Sequence, residues 1–171
     1  MGDVFFGENV KIYIDSTNPT QTTFDVSGGG AKEVQTSVFS FEISGGEYET
    51  ETKPLLGNAN IVIEKPASEI EVSMEVAIKT DDPTFWDKMF YGDGLTSATR
   101  ADKCSIGIEA TDGTTKYQVL LHNVLSVSFE KSLEAGDFLQ GKITFKLAPT
   151  DDAGNANVLI GTNSNEVFTV Q

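Results

Sequence analysis

The stretch "SEIEVSMEVAIK", residues 68–79, decides the fold class because apolar and polar residues alternate along its whole length. Its apolar positions are Ile70, Val72, Met74, Val76 and Ile78. Its other positions are Glu69, Glu71, Ser73, Glu75, Ala77 and Lys79. Successive side chains of a strand point to opposite sides, so this pattern predicts a strand with one face in a core and the other outside it.

The same alternation recurs along the chain and predicts a protein built mainly of short strands. Apolar positions alternate in segments 10–15, 38–43, 103–110, 116–121, 124–131 and 141–149. In segment 38–43 we predict that Phe39, Phe41 and Ile43 share the core face. A long polar connection, residues 15–33, follows the first strand, and a last hairpin is predicted around "TNSN" near the end of the chain.

One helix is predicted over about residues 82–91, within "DDPTFWDKMFYGDG". Asp82 can cap its first turn, Pro83 suits its first position, and Gly92 suits its end. Its apolar stripe comprises Phe85, Trp86, Met89 and Phe90. Eight or nine strands with one helix predict a mainly β fold, a β-sandwich or barrel with a flanking α-helix, in a single domain spanning residues 1–171.

Composition excludes several classes of partner. The chain has 26 acidic and 12 basic residues and a net charge of −14, which disfavours binding to nucleic acid phosphates or to an anionic membrane. The start of the chain does not resemble a signal peptide, and no segment approaches 18 apolar residues. With one cysteine the chain forms no internal disulfide, which favours synthesis in a reducing cytosol.

Candidate catalytic and metal-binding residues are few. His122 is the only histidine, so a site with several histidine ligands is excluded. Cys104 shares a predicted strand face with Ile106 and Ile108, which indicates a small buried residue instead of a reactive thiol. We therefore expect no enzyme activity, no metal and no cofactor.

The segment "GGEYETETKPLLGN", residues 45–58, alternates like a strand, but neither of its faces is apolar enough to lie on a core. It turns at Pro54 and breaks at Gly57 and Asn58, and Pro66 is predicted to bend the strand that follows. The composition of this arm raises the question of what it packs against.

Several motifs occur together in an order that resembles the major tail tube proteins of long-tailed, siphovirus-like phages and related viruses. A strand ends in Ser44-Gly45-Gly46 and continues into "EYETETKPLLGN". The segment "SEIEVSMEVAIK" then leads into the predicted helix. Near the end, "VLSVSFEKSLEAGDFLQGKITFKLAP" gives a strand, an Ala-Gly-Asp turn and another strand. The resemblance covers about residues 34–149.

The resemblance implies a structural virion protein, made in the host cytoplasm, that assembles into hexameric rings. The rings stack into a hollow tail tube through which viral DNA passes during ejection. Its other partners in such a tail are the tape measure, tail terminator and distal tail proteins. A long protruding hairpin arm, about residues 44–60, is expected to pack against an adjacent ring. The inter-ring arm residues implied are Glu47, Tyr48, Glu49, Glu51, Pro54, Leu55 and Leu56.

The resemblance also implies that one sheet of each subunit lines the lumen of the tube. The lumen-facing candidates are Glu42, Glu69, Glu71, Glu75, Ser126, Ser128 and Glu130. Lys142, Thr144 and Lys146 are expected on the same wall. Acids still outnumber lysines there, and such a wall lacks the clustered cations that hold DNA, so DNA is expected as a transient cargo and not as a ligand.

A monomeric β-sandwich recognition module, such as a carbohydrate-binding or adhesin-like domain, is the alternative function. Such modules expose aromatic side chains on loops or hold calcium, whereas most aromatics here are predicted in the core. Glycan binding by a stable monomer would favour this alternative.

Overall fold

The fold described here is that of a computed structural model, which describes residues 5, 7–57, 59–64 and 67–171. It confirms a mainly β protein with one helix, α1 (Phe85–Tyr91). The strands are β1 (Val10–Asp15), β2 (Thr23–Phe24), β3 (Ala31–Glu33), β4 (Val38–Gly45), β5 (Thr50–Pro54), β6 (Asn60–Glu64), β7 (Ile70–Ala77), β8 (Cys104–Thr111), β9 (Lys116–Ser132), β10 (Gln140–Leu147), β11 (Val158–Thr162) and β12 (Thr169–Val170). The predicted break at Asn58 and bend at Pro66 lie outside the described residues.

Strand β9, with 17 residues, belongs to two sheets and joins them. Its first half pairs with β8 and β11, and β1 and β3 extend this first sheet. Its second half pairs with β10, and β7 and β4 extend the second sheet. Between the two halves Asn123 has φ of 54°, a left-handed conformation that asparagine tolerates better than most residues, and its side-chain amide donates to Asn157 Oδ1 at 2.8 Å.

The main core lies between the two sheets. Val72, Met74 and Val76 of β7 are fully buried, which confirms the predicted core face of that strand. Ile143 and Phe145 of β10 are also fully buried within this core. The other members include Ile12, Ile14, Ile106 and Leu121 of the first sheet and Trp86 and Met89 of α1. Trp86, Met89 and the partly buried Phe85 of the predicted stripe therefore pack on the same core as the strands, whereas Phe90 does not belong to it.

A second apolar cluster covers the opposite face of the first sheet. The last segment of the chain packs on this cluster, and the hairpin predicted there is wrong. The chain does turn at residues 162–165, but β12 pairs in parallel with β2 and not with β11. Phe168 is 2% exposed and packs on Phe24, with ring centroids 5.3 Å apart. The buried side chain of Gln118 accepts from the N–H of Val167 at 3.0 Å and donates to the carbonyl of Phe168 at 3.1 Å, so it holds the last segment on the cluster.

The start of α1 differs from the prediction, whereas its end at Gly92, with φ of 75°, confirms it. The helix begins at Phe85, three residues after Asp82. The Asp82 carboxylate does not cap the helix because it forms an ion pair with Lys32. Asp82, the predicted capping residue, therefore links the segment before the helix to β3 through this ion pair.

The predicted core position of Phe39 is wrong. The register between β4 and β7 shifts between Val38 and Ser40, so that Val38 packs on the core in place of Phe39. Phe39 is 52% exposed and contacts Phe138 edge-on, with ring centroids 6.1 Å apart. A β-bulge adds one residue to a strand and reverses the faces beyond it, which an alternating sequence does not reveal.

Candidate functional site

The side of the second sheet that faces away from the core is its outer face, and it is polar except near Phe39, which lines a hollow together with Glu75, Glu130 and Lys142. Strand pairing and alternation place the following residues there: Ser40, Glu42, Ser44, Glu69, Glu71, Ser73, Glu75, Ser128, Glu130, Lys142, Thr144 and Lys146. Five glutamates and two lysines leave three net negative charges. The structure thus brings six of the seven predicted wall residues onto one surface.

The two lysines of the outer face lie among its acids. Lys142 is paired across β10 with Glu75 on one side and Glu130 on the other. Lys146 lies opposite Glu71, and its Nζ is 3.4 Å from a carboxylate oxygen of Glu69. Opposite charges across neighbouring strands attract, so each lysine offsets nearby glutamates and does not create a cationic patch. The outer face therefore offers no cluster of cations to a polyanion.

The prediction that Ser126 shares this face is wrong. The register between β9 and β10 shifts where Thr144 pairs with Ser128 but Phe145 pairs with Ser126, which leaves Val127 as the extra residue. Ser126 thereby turns to the core side and is 6% exposed. Its hydroxyl donates to the carbonyl oxygen of Met89 near the end of α1. Ser126 fastens the helix to the sheet and does not belong to the wall.

Alanine substitutions at Ser126 and Ser128 test the prediction that the first side chain lies in the core and the second on the outer face. Ser126→Ala leaves a buried helix carbonyl without its donor, so we expect the free energy of unfolding to fall by about 1–3 kcal/mol. Ser128→Ala, on the half-exposed outer face, is the matched control, and its effect should stay within about 0.5 kcal/mol. Urea denaturation of both variants measures the difference, and equal losses would contradict the assigned bulge.

The predicted arm is a projecting two-stranded hairpin, β5 with β6, and it is longer than the sequence indicated. Residues 46–49 connect it to β4, and its regular pairing runs from Thr50 opposite Glu64 to Pro54 opposite Asn60. In the described part of the chain these two strands pair only with each other, and all ten of their residues are exposed. An isolated two-stranded hairpin is marginally stable in water, and neither strand of this one contributes a residue to the two apolar clusters.

The tip and flanks of the hairpin carry exposed apolar side chains. Leu56 is completely exposed at 105%, Leu55 is 50% exposed, and Tyr48 is 74% exposed. Strand β6 adds three residues that the sequence prediction missed, namely Ile61, Val62 and Ile63, which are 44%, 61% and 38% exposed. In the sequence these three residues form a continuous apolar run, and such a run also predicts an ordinary buried strand.

Glycine and backbone hydrogen bonds fix the root of the hairpin. Gly45 has φ of 86°, and a side chain there would collide with the backbone oxygen of Glu69. The N–H of Gly46 donates to the same oxygen at 3.3 Å, and the N–H of Ser68 donates to the carbonyl of Glu47 at 3.1 Å. The hairpin therefore leaves the sheet as an extension of β4 and β7.

His122 and Cys104, the remaining candidate residues, lie among groups that give them structural roles. His122 Nε2 lies 3.1 Å from the carbonyl oxygen of Gln21. Cys104 is 1% exposed, and burial, with a smaller effect from the charge of Asp15, raises the pKa of its thiol to about 12. Among the described residues no group of three or more histidine, cysteine or acidic side chains is arranged to hold a metal ion. In the same residues no helix has the length and apolar character needed to cross a membrane.

Cys104 should resist thiol reagents while the protein is folded. The thiolate is the reacting species, and a pKa of about 12 leaves almost none of it at pH 8. We expect no labelling by a chromogenic disulfide reagent at pH 8, and one thiol per chain after addition of guanidinium chloride. Stoichiometric labelling of the native protein would contradict the burial of this residue.

The fold is shared with proteins of tubular particles. No protein family model and no curated protein sequence matches this chain. Among solved structures, one match is the tube-terminating cap of the anti-feeding prophage, with a TM-score of 0.61, 12% identity, and coverage of 95% of this chain and 93% of that one. The chain shares its fold with components of phage-tail-like particles.

Two further solved structures extend this likeness. A chain of the sheath–tube complex of the extracellular contractile injection system PVC gives a TM-score of 0.54 and 14% identity, with coverage of 90% of this chain and 88% of that one. A chain of the tail of an empty gene transfer agent particle gives a TM-score of 0.52 and 13% identity, with coverage of 85% of this chain and 95% of that one. At these identities the likeness establishes the fold alone.

Proposed function

We propose that this chain is a structural virion protein that polymerises into stacked hexameric rings and so forms the hollow tube of a viral tail. The observation that carries the proposal is the exposed hairpin, whose apolar side chains find no cover within the described part of the chain. The shared fold supports the same conclusion, since the matched structures belong to tails, caps and sheath–tube complexes. The tail of the matched gene transfer agent was refined with C6 symmetry, which supports rings of six.

In this proposal the hairpin joins one ring to the next. Its apolar residues Tyr48, Leu55 and Leu56 become buried against a neighbouring subunit. The charged residues Glu47, Glu49 and Glu51 keep the free hairpin soluble and restrict its pairing, since bare sheet edges otherwise associate indiscriminately. Pro54 ends the first strand of the hairpin and removes one backbone donor from its edge.

The outer face of the second sheet lines the lumen in this proposal. Its core side is occupied by packing with the first sheet, so only the outer face is free to meet the bore. An acidic and hydroxyl-rich wall has weak affinity for phosphate because it offers few cations to replace counterions. DNA is thus a transient cargo that passes along the wall and is not bound by it.

The partners follow from the same assembly. The chain binds copies of itself, and the tape measure, tail terminator and distal tail proteins are its proposed partners in the finished tail. Its location is the virion tail, after synthesis in the host cytoplasm. A long-tailed, siphovirus-like tail is the form that the sequence resemblance favours.

Sedimentation velocity across a range of protein concentrations tests this function. A tube subunit of 18.4 kDa should shift to species of at least ring size as concentration rises. A species that remains a monomer at every concentration and binds glycans on an array would overturn the proposal in favour of a recognition module.

A further inference from the structure

The structure contains a groove beside α1 that suits the tip of the hairpin. One hollow of about 380 Å³ lies between the end of α1, the loop that follows it and the bulge of β9, and its lining includes Phe90, Tyr91 and Val127. A second hollow of about 410 Å³ lies next to it and is lined by Leu95 among others. Tyr91 and Ser97 line both hollows, so together they form one continuous groove.

The loop that borders the groove holds a strained residue. Leu95 has φ of 54°, a left-handed conformation that is sterically unfavourable for a residue with a side chain. Its side chain is 41% exposed at the rim of the groove. Strain of this kind persists where the surrounding structure enforces it and is concentrated at binding sites.

The groove carries one net positive charge on this acidic protein, because Arg100 and Lys131 line it together with one acid, Asp87. Arg100, the only arginine, lines the first hollow, and in the described part of the chain it forms no ion pair. Residues 47–64 of the hairpin carry four glutamates and one lysine. The cation at the groove and the net negative charge of the hairpin are complementary, which favours their approach in the correct orientation.

The hairpin does not lie against its own groove. It extends from β4 and β7, whereas the groove lies against β9, on the opposite edge of the second sheet. A surface on one part of a subunit that binds a different surface on the next copy makes a head-to-tail contact, which repeats from copy to copy. This is the type of contact that a stack of rings requires.

We propose that the hairpin tip of one subunit inserts Leu55 and Leu56 into the groove beside α1 of a subunit in the adjacent ring. The occupant is a second copy of this chain, and the two adjoining hollows take the two adjacent leucines. Arg100 attracts the acidic hairpin and holds it at the rim. This assignment rests on the proposed function, and it names the receptor that the hairpin uses.

Cysteine cross-linking between two singly substituted proteins tests the contact. Copies with Leu56→Cys are mixed with copies with Ser97→Cys under tube-forming conditions and oxidised. Disulfides form only where Cα atoms approach to about 4.4–6.8 Å, so we expect a covalent dimer in the mixture and little in either protein alone. The control mixture replaces Ser97→Cys with Asp152→Cys, in an exposed turn that does not line the groove.

The charge of Arg100 provides a second test that does not depend on cross-linking. Arg100→Glu should raise the concentration needed for tube formation at least about thirtyfold, because it places a like charge opposite the acidic hairpin. Arg100→Lys keeps the charge and should change it less than about threefold. Since Arg100 is exposed, both variants should melt like the unchanged monomer.

The outcomes separate the groove from the function. Tubes that form without the Leu56–Ser97 cross-link, or equal cross-linking in the control mixture, would overturn the groove assignment and leave the tube function intact. Normal tube formation by Arg100→Glu would overturn the role of the arginine. Failure of the unchanged chain to form any tube would overturn the proposed function itself.

Discussion

Replacing Leu55 and Leu56 together with serine should abolish tube formation at concentrations where the unchanged chain polymerises. Fully burying an exposed leucine side chain contributes about 1.5–3 kcal/mol. Leu56 is fully exposed and Leu55 half exposed, so the pair contributes about 2–4.5 kcal/mol per contact. A loss of that size raises the critical concentration about thirtyfold to a thousandfold. Light scattering against protein concentration measures it.

The matched control keeps the apolar volume of the tip. Leu55→Met with Leu56→Met preserves most of the burial and should polymerise within about tenfold of the normal critical concentration. Both double variants should unfold at the same denaturant concentration as the unchanged monomer, because neither leucine contributes to a core. Normal tubes from the double serine variant would contradict a role for the hairpin tip in assembly.

Changing Glu69, Glu71 and Glu75 together to lysine should leave tubes intact but slow the release of DNA. The outer face would go from five glutamates and two lysines to two glutamates and five lysines, from three net negative charges to three net positive ones. A cationic wall would replace counterions on the phosphates and hold the DNA, with affinity that falls steeply as salt rises. Release kinetics from virions, measured at two salt concentrations, test this.

The matched control moves the same charge change to another surface. Asp93, Glu134 and Asp152 are exposed and lie outside the outer face, and lysine at all three should leave release unchanged. Normal release from the triple variant of the outer face, or equal slowing by the control, would refute the lumen assignment.

The strands and the helix could be predicted from the sequence because their side chains follow a regular period. Segment 68–79 alternates without interruption, and its structure places every even-numbered residue from Ile70 to Val76 in the core. Gly92 ended the helix as predicted because a left-handed residue there favours glycine. Local chemistry was enough for these elements.

Bulges and long-range contacts could not be predicted in the same way. One extra residue at Val127 turned Ser126 from the wall to the core, and one near Phe39 exposed a residue expected inside. A bulge is defined by how a strand pairs with its neighbour, and the alternating sequence of β9 alone carries no information about that pairing. The parallel pairing of β12 with β2 likewise depends on Gln118, about 50 residues away in sequence. The groove beside α1 also forms between two segments that are distant in sequence, residues 84–100 and 126–131.

Cryo-electron microscopy of tubes assembled from the purified chain tests the central claim most directly. We predict hollow tubes of uniform bore in which Glu69, Glu71 and Glu75 of each subunit face the lumen and each hairpin reaches the adjacent ring. Solid filaments, or tubes whose bore is lined by any other surface of the subunit, would contradict it.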